Sequence, residues 1–380
     1  MSLIRPDSVR PEVEAFTPYT PGLSIDEIRE RYGLSQVIKM ASNENPLGAS
    51  PQVCAAIARH AARAFRYPQG GNPRLVAALA RHHGLDPARV IVGNGSDELI
   101  DLLIRARAVP GRHNVVTFRP CFSMYALQSR FCGVELRQAP LREDFSFDYE
   151  ALLGLVDANT VLVFVTTPDN PSGYCPPAAD LAKLARALPD ACLLVLDEAY
   201  MDFADDEGAH SLLPVLEGFP NTAVLRTFSK SFGLAGLRLG YALLPPQLAG
   251  YLWRVRLPFS VNILAEEAGL AALGDAVFRE ESLCVVRKGR ETLSRGLRDL
   301  GCRVWPSQAN FLMFRPPEGS PPASDLFEQL LRGGIIIRPL ASYGLPDLLR
   351  VSMGTEEENR RFLDACTELF HHGQTARNGS

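Results

Sequence analysis

Residues 90–108 read VIVGNGSDELIDLLIRARA. The β-branched run VIV suits a strand, Gly93 and Gly95 punctuate a turn, and LIDLLIRARA repeats its apolar positions at helical spacing. The same succession continues downstream through HNVVTF, VELRQAP, TVLVFVTTP, PPAADLAKLARAL, ACLLVLDEAY and TAVLRTFSK. Upstream, Ser50 with Pro51 at the first helical position opens QVCAAIARHAARAF, and PRLVAALARHHG is a second amphipathic helix. Strands alternating with helices predict an α/β fold whose mostly parallel sheet is covered on both faces.

Beyond about residue 258 the pattern changes. A long helical stretch runs from Ile263 to Leu300, followed by strands near RVWPS and NFLMFR, a helix, and the segments IIIRPL and LLRVSMG. Thr355, with Glu358 three residues on, opens a last helix that Gly373 stops. At the other end, Ser24 and Glu27 form a capping box ahead of IDEIRERY. The expected organisation is an N-terminal arm and first part of a small domain at 1–44, a large domain at 45–260, a small α+β domain at 261–373 and a disordered tail at 374–380.

Composition narrows the function. In 380 residues, 46% are hydrophobic and 22% charged, which fits neither a disordered chain nor a membrane span. A net charge of -4 without a basic run disfavours nucleic acid. Eight cysteines form no CxxC pair, and the histidine pairs His82-His83 and His371-His372 lack partners at zinc-like spacing, so reduced thiols and no metal site are expected. Arg5, Asp7, Arg10 and Glu12 interrupt the apolar core that a signal peptide requires, which points to a cytoplasmic protein.

Four segments carry candidate chemistry. In GNGSDE a dinucleotide fingerprint fails, because Glu98 stands where glycine is needed, and no GxxxxGK[ST] sequence occurs. A strand, two glycines and a helix beginning with Ser96 and Asp97 nevertheless direct free backbone N–H groups at an anion; a plain capped turn is the alternative. The second segment is TFSKSFGLAGLRLGY, residues 227–241. Only four of the 39 basic residues are lysines, and Lys39, Lys183 and Lys288 sit on an edge strand or amphipathic helices. Lys230 has no such setting: it ends a strand, and Arg238 follows a Gly-Leu-Ala-Gly loop that can fold back toward it. An amine beside a cation loses proton affinity, as a Schiff-base nucleophile requires. Third, Asp197 and Tyr200 end the strand LLVLDEAY, where ligands bind in α/β sheets. Fourth, Asn170 lies in the proline-bounded turn TTPDNPSG.

GNGSDE, PDNPSG, DEAY and TFSKSFGLAGLRLGY, in this order, resemble the fold-type I pyridoxal-phosphate aminotransferases over nearly the whole chain, and within them most closely the histidinol-phosphate aminotransferase family. The resemblance implies that Lys230 carries pyridoxal 5'-phosphate and then shuttles a proton, that Asp197 pairs with the pyridine nitrogen, and that Asn170 and Tyr200 bond the phenolic oxygen. Gly95, Ser96, Asp97, Ser229 and Arg238 would hold the phosphate, and Phe122 would stack on the ring where most relatives have tyrosine. Tyr67 would reach the cofactor of a neighbouring subunit, which implies a homodimer. Arg350 and Arg338 would bind the substrate's anionic groups, with Tyr19 and Asn43 at the entrance. Asp169 and Ser172 depart from the family's Asn and Thr, away from the reacting atoms.

The implied reaction is amino transfer between L-histidinol phosphate and 2-oxoglutarate in histidine biosynthesis. An aromatic amino-acid aminotransferase and a threonine-phosphate decarboxylase share the frame, and a non-catalytic cofactor-sensing module of a transcription regulator is a reading from another class.

Overall fold

The computed structural model describes residues 9–14 and 22–375, so Tyr19 and residues 376–380 lie outside the described residues. The chain up to Leu243 supplies β1 (Ile38–Lys39), β2 (Val90–Asn94), β3 (Asn114–Arg119), β4 (Glu135–Pro140), β5 (Thr160–Thr166), β6 (Leu193–Asp197), β7 (Thr222–Thr227) and β8 (Leu239–Leu243). β2 through β8 form a seven-stranded sheet in the order β2-β8-β7-β6-β5-β3-β4. β3 to β7 pair in parallel, and β8 alone runs against both of its neighbours. The short loop from β7 to β8 contains no crossover helix, and a parallel return needs one.

Burial alternates along each central strand between two packed faces. Val163 and Val165 of β5 join Leu194, Leu196 and Val224 under the helices Pro73–His83 and Ala178–Ala187. Leu162 and Phe164 join Val195 and Leu225 under the helices Gly95–Arg107 and Pro246–Val255. This is the doubly covered sheet that the sequence predicts.

The expected helix from Ile263 to Leu300 divides into Ile263–Gly274 and Ala276–Asp299. At the break the Asp275 carboxylate accepts from the Phe278 N–H at 3.2 Å and caps the second helix. Ala265 and Ala268 of the first helix are buried in the core of the large sheet, so the stretch just after residue 260 packs with the large body. The rest builds a second core. β9 (Arg303–Val304), β10 (Phe311–Arg315), β12 (Arg338–Pro339) and β13 (Leu349–Ser352) form an antiparallel sheet in the order β12-β13-β10-β9. β11 (Ile335–Ile336) instead pairs in parallel with β1 and ties the N-terminal segment to this unit, so the segment IIIRPL divides between two strands. Thr355 and Glu358 cap the last helix reciprocally, and it runs Glu356–Thr375, slightly past Gly373.

The two cores meet at the loop after β6. Tyr200 and Phe203 leave the large sheet to pack in the core of the smaller one. The acidic character of this loop has an electrostatic reason. Arg226 of β7, 3% exposed, donates to Glu198 (Nε–Oε2 2.9 Å), Asp202 (3.3 Å) and Glu207 (2.7 Å). Arg279 of the long helix donates to Asp202 at 2.9 Å, and Arg290 bonds the Phe203 carbonyl at 3.1 Å and the Asp205 carboxylate. Breaking one partner of such a buried set leaves charge uncompensated. Arg226→Met is expected to destabilise the chain by roughly 3–5 kcal/mol, read as a lowered urea midpoint; an unchanged midpoint would mean that the cluster carries no stability.

Candidate active site

At the carboxyl ends of β5, β6 and β7, where a parallel sheet opens to ligands, a cavity is lined by Thr166, Asn170, Asp197, Ala199, Tyr200, Thr227, Ser229 and Lys230, and is closed by Ser96, Asp97, Phe122 and Arg238. Nine of the residues singled out in the sequence are thus brought to one cavity. Thr166, Ala199 and Thr227 were not singled out; each lies at or just beyond the end of a strand that the sequence does identify.

One end is a cradle for an anion. Ser96 opens the helix Gly95–Arg107, and Gly95 turns into it at φ 74°. A Cβ on Gly95 would stand 2.6 Å from Arg238 Nη2, and one on Gly240 would stand 2.5 Å from the Ser96 amide nitrogen. Both positions therefore need glycine for the strand, the helix end and the guanidinium to converge. Arg238 itself has φ 53°, a left-handed conformation that costs a non-glycine residue about 1–3 kcal/mol. It aims the guanidinium at Ser229 Oγ (3.3 Å) and Asp97 Oδ2 (3.1 Å). Burial raises the Asp97 carboxyl, and Arg238 opposes that shift.

Lys230 lies in the loop after β7, half-buried, with Nζ donating to the Ser42 carbonyl at 3.0 Å and 5.5 Å from the centre of the Tyr200 ring. Burial, then Arg350 and Arg238, lower its proton affinity from 10.5 to about 8. Asp197 is buried at the end of β6, and burial pushes its carboxyl up to about 6, opposed first by the Tyr125 hydroxyl. Asp197 Oδ2 accepts from that hydroxyl at 2.7 Å and Oδ1 from the Ala199 N–H at 3.2 Å. Burial also raises the Tyr200 phenol to about 12, against the Arg350 charge and the Asn43 bond.

Other residues singled out in the sequence stand outside the cavity lining. Asn43 is not at the entrance: it is 1% exposed, its amide donates to the Tyr200 hydroxyl at 3.1 Å, and its Oδ1 accepts from Ser352 Oγ at 2.8 Å. Both functional ends of that amide are occupied within the protein. Arg350 of β13 is one side chain behind the cavity wall, bonding Asn170 Oδ1 and the Ala41 carbonyl (3.0 Å), while its buried Nε has no partner among the described residues. Arg338 pairs with Arg350 in register across β12 and β13, but lines a neighbouring cleft with Arg119, Gln138 and Tyr343. Tyr67 is 80% exposed, stacks on Phe259 at 4.8 Å and takes no part in the cavity of its own chain. Asp169 and Ser172 bond each other, hydroxyl to carboxylate at 2.6 Å, outside the cavity lining. Among the described residues no cluster of metal-ligating side chains occurs, and no helix is long and apolar enough to cross a membrane.

The chain matches the family model of class I and II aminotransferases over residues 35–366. It is 66% identical over 371 residues to a histidinol-phosphate aminotransferase of Nitratidesulfovibrio vulgaris, with 98% of this chain and 99% of that protein covered. An Anaeromyxobacter histidinol-phosphate aminotransferase is 44% identical, covering 95% of this chain and 99% of its own. The crystal structure of histidinol-phosphate aminotransferase from Sinorhizobium meliloti in complex with pyridoxal-5'-phosphate superposes with a TM-score of 0.87 at 30% identity, covering 96% of this chain and 98% of that one.

The Lys230 environment generates a pH test. Reductive trapping of the amine by a small aldehyde is expected to rise through about pH 8, since only the neutral amine attacks. Removing the cation with Arg350→Met moves the midpoint upward; a wild-type midpoint near 10 would contradict an amine weakened by burial and by Arg350.

Proposed function

The chain belongs to the class I and II aminotransferases, in the histidinol-phosphate aminotransferase family, and we propose that it moves the amino group between L-histidinol phosphate and 2-oxoglutarate with pyridoxal 5'-phosphate bound in the cavity at Lys230. The observation that carries this reading is the convergence of a low-affinity amine, a buried carboxylate and a glycine-enforced anion cradle in one cavity.

The residues fit a phosphorylated pyridine aldehyde. The cradle of Ser96, Asp97, Ser229 and Arg238 offers backbone and hydroxyl donors and a guanidinium to the phosphate, and the two glycines let the guanidinium and the helix end converge. Asp97 beside Arg238 keeps that guanidinium oriented. Phe122 supplies an apolar wall for a flat ring, and without a hydroxyl it adds no polar contact. Asp197, with lone pairs left over after Tyr125 and Ala199, can accept a hydrogen bond from a protonated ring nitrogen. Asn170 and Tyr200 offer donors to a phenolic oxygen. When bound, the cofactor supplies an electron sink for charge developing at the amine-bearing carbon of the substrate. Lys230, poised near pH 8, would take the proton from that carbon and deliver it to the aldehyde-derived carbon of the bound cofactor, so that the nitrogen stays there. Arg350, whose Nε is unpartnered among the described residues, and Arg338, from the neighbouring cleft, are the guanidinium groups that this reading assigns to the anionic ends of the substrate.

The active unit in this reading is a homodimer. Phe65, Tyr67, Leu257 and Phe259 are exposed apolar side chains, Tyr67 stacked on Phe259, and in this reading Tyr67 is contributed to the partner's cofactor phosphate.

Two measurements test the proposal. In single half-reactions, histidinol phosphate is expected to convert the cofactor's visible absorption far more efficiently than phenylalanine or tyrosine, and without release of carbon dioxide; the opposite preference supports an aromatic aminotransferase, and carbon dioxide release a decarboxylase. Lys230→Ala is expected to abolish turnover. Mixing inactive Lys230→Ala with impaired Tyr67→Ala then regains activity through the hybrid dimers that pair one intact site with an intact Tyr67, whereas strictly additive activity contradicts a shared site.

A further inference from the structure

The carboxylate at the floor of the cavity is held from behind by a residue outside the cavity lining. Tyr125, on the helix Met124–Phe131, is wholly buried, stacks face to face on Phe164 of β5 at 4.7 Å and meets the Phe122 ring edge-on at 5.8 Å. Its hydroxyl lies 2.7 Å from Asp197 Oδ2 and 2.7 Å from Thr166 Oγ1. Thr166 and Asp197 are themselves register partners across β5 and β6. A phenol has one proton and an ionised carboxylate can only accept, so the Tyr125 proton goes to Asp197 and Thr166 must donate to the phenolic oxygen. The three groups form a directed relay, Thr166 to Tyr125 to Asp197, in which each bond polarises the next.

We propose that Tyr125 is a positioning residue for amino transfer: it fixes the orientation of Asp197, keeps that carboxylate anionic, and so holds the proton of the bound pyridine ring on its nitrogen. The inference rests on the pyridoxal-phosphate reading above. The other groups that act on Asp197 are the Ala199 amide, Lys230 and Asp97. The two charges oppose each other there, Lys230 lowering and Asp97 raising the proton affinity of Asp197, which leaves Tyr125 as the foremost side-chain stabiliser of the anion. Phe122 links the same tyrosine to the wall on which a ring would lie, so one side chain aligns both the floor and the side of the site.

The test uses full-length chain loaded with pyridoxal phosphate carrying 15N in the ring, with Tyr125→Phe and with 3-fluorotyrosine incorporated at position 125 alone. Losing a hydrogen bond to a charged acceptor shifts the proton balance between Asp197 and the ring by about tenfold to a hundredfold. In Tyr125→Phe the ring-nitrogen resonance is therefore expected to move toward the unprotonated position. The fluorinated phenol, a stronger donor of nearly the same shape, is expected to move it the other way, a response in opposite directions that a purely structural role does not produce. If Tyr125→Phe fails to fold, the fluorinated protein decides alone. A wild type that takes up the label but shares its resonance with both variants overturns this inference only. A wild type that takes up no label overturns the cofactor reading and this inference with it.

Discussion

The Arg226 guanidinium, buried among Glu198, Asp202 and Glu207, is the contact on which the geometry of the molecule depends. It sits on β7, next to the strand that ends in Asp197, and it grips the loop by which the chain leaves the large sheet. Asp202 in turn accepts from Arg279 and from the Ser231 hydroxyl, the neighbour of Lys230. One set of charges therefore ties the floor of the cavity, the lysine loop and the long helix of the smaller unit. Such an arrangement is costly to desolvate and adds little net stability over an apolar core. What it supplies is a defined relation between elements that would otherwise be free to slide.

The central sheet was legible because its signal is local. Runs such as TVLVFVT and LLVLD are short, apolar on both faces and separated by amphipathic helices, and no other packing satisfies them. The break at Asp275 was not, since an aspartate inside a helical pattern differs from an aspartate cap only by the backbone around it. The division of the segment IIIRPL was hidden for a similar reason: its first part pairs with β1, far earlier in the chain, and its second with β13.

The site divides in the same way. Lys230, Asp197, Asn170 and the glycine turn at Gly95 each end or closely follow a strand, so their convergence followed from recognising the strands. Arg350, Arg338 and Asn43 come from the part of the chain where pairing is long-range, and there the sequence identified residue types without their neighbours. Asn43 shows the limit most clearly. The polar, turn-rich context SNENP suits an entrance, yet the hydroxyls of Tyr200 and Ser352, and Asn310, whose amide donates to the Asn43 carbonyl at 3.0 Å, enclose it. Tyr125 was passed over because a buried tyrosine three residues after Phe122 reads as core until its hydroxyl is traced to Asp197.

Lys230 belongs to the large sheet, whereas Arg350, the foremost of the charges that weaken its hold on a proton, is carried by β13 of the small one. Like charges interact as the inverse of their separation, and only weakly screened between buried groups. The basicity of the amine is thus a gauge of how closely the two units are seated: a looser seating strengthens the lysine's grip on its proton, and a tighter one frees the lone pair. Beyond the larger effect of burial, acid–base chemistry at the lysine is thus coupled to the seating of a strand that never touches it through a hydrogen bond.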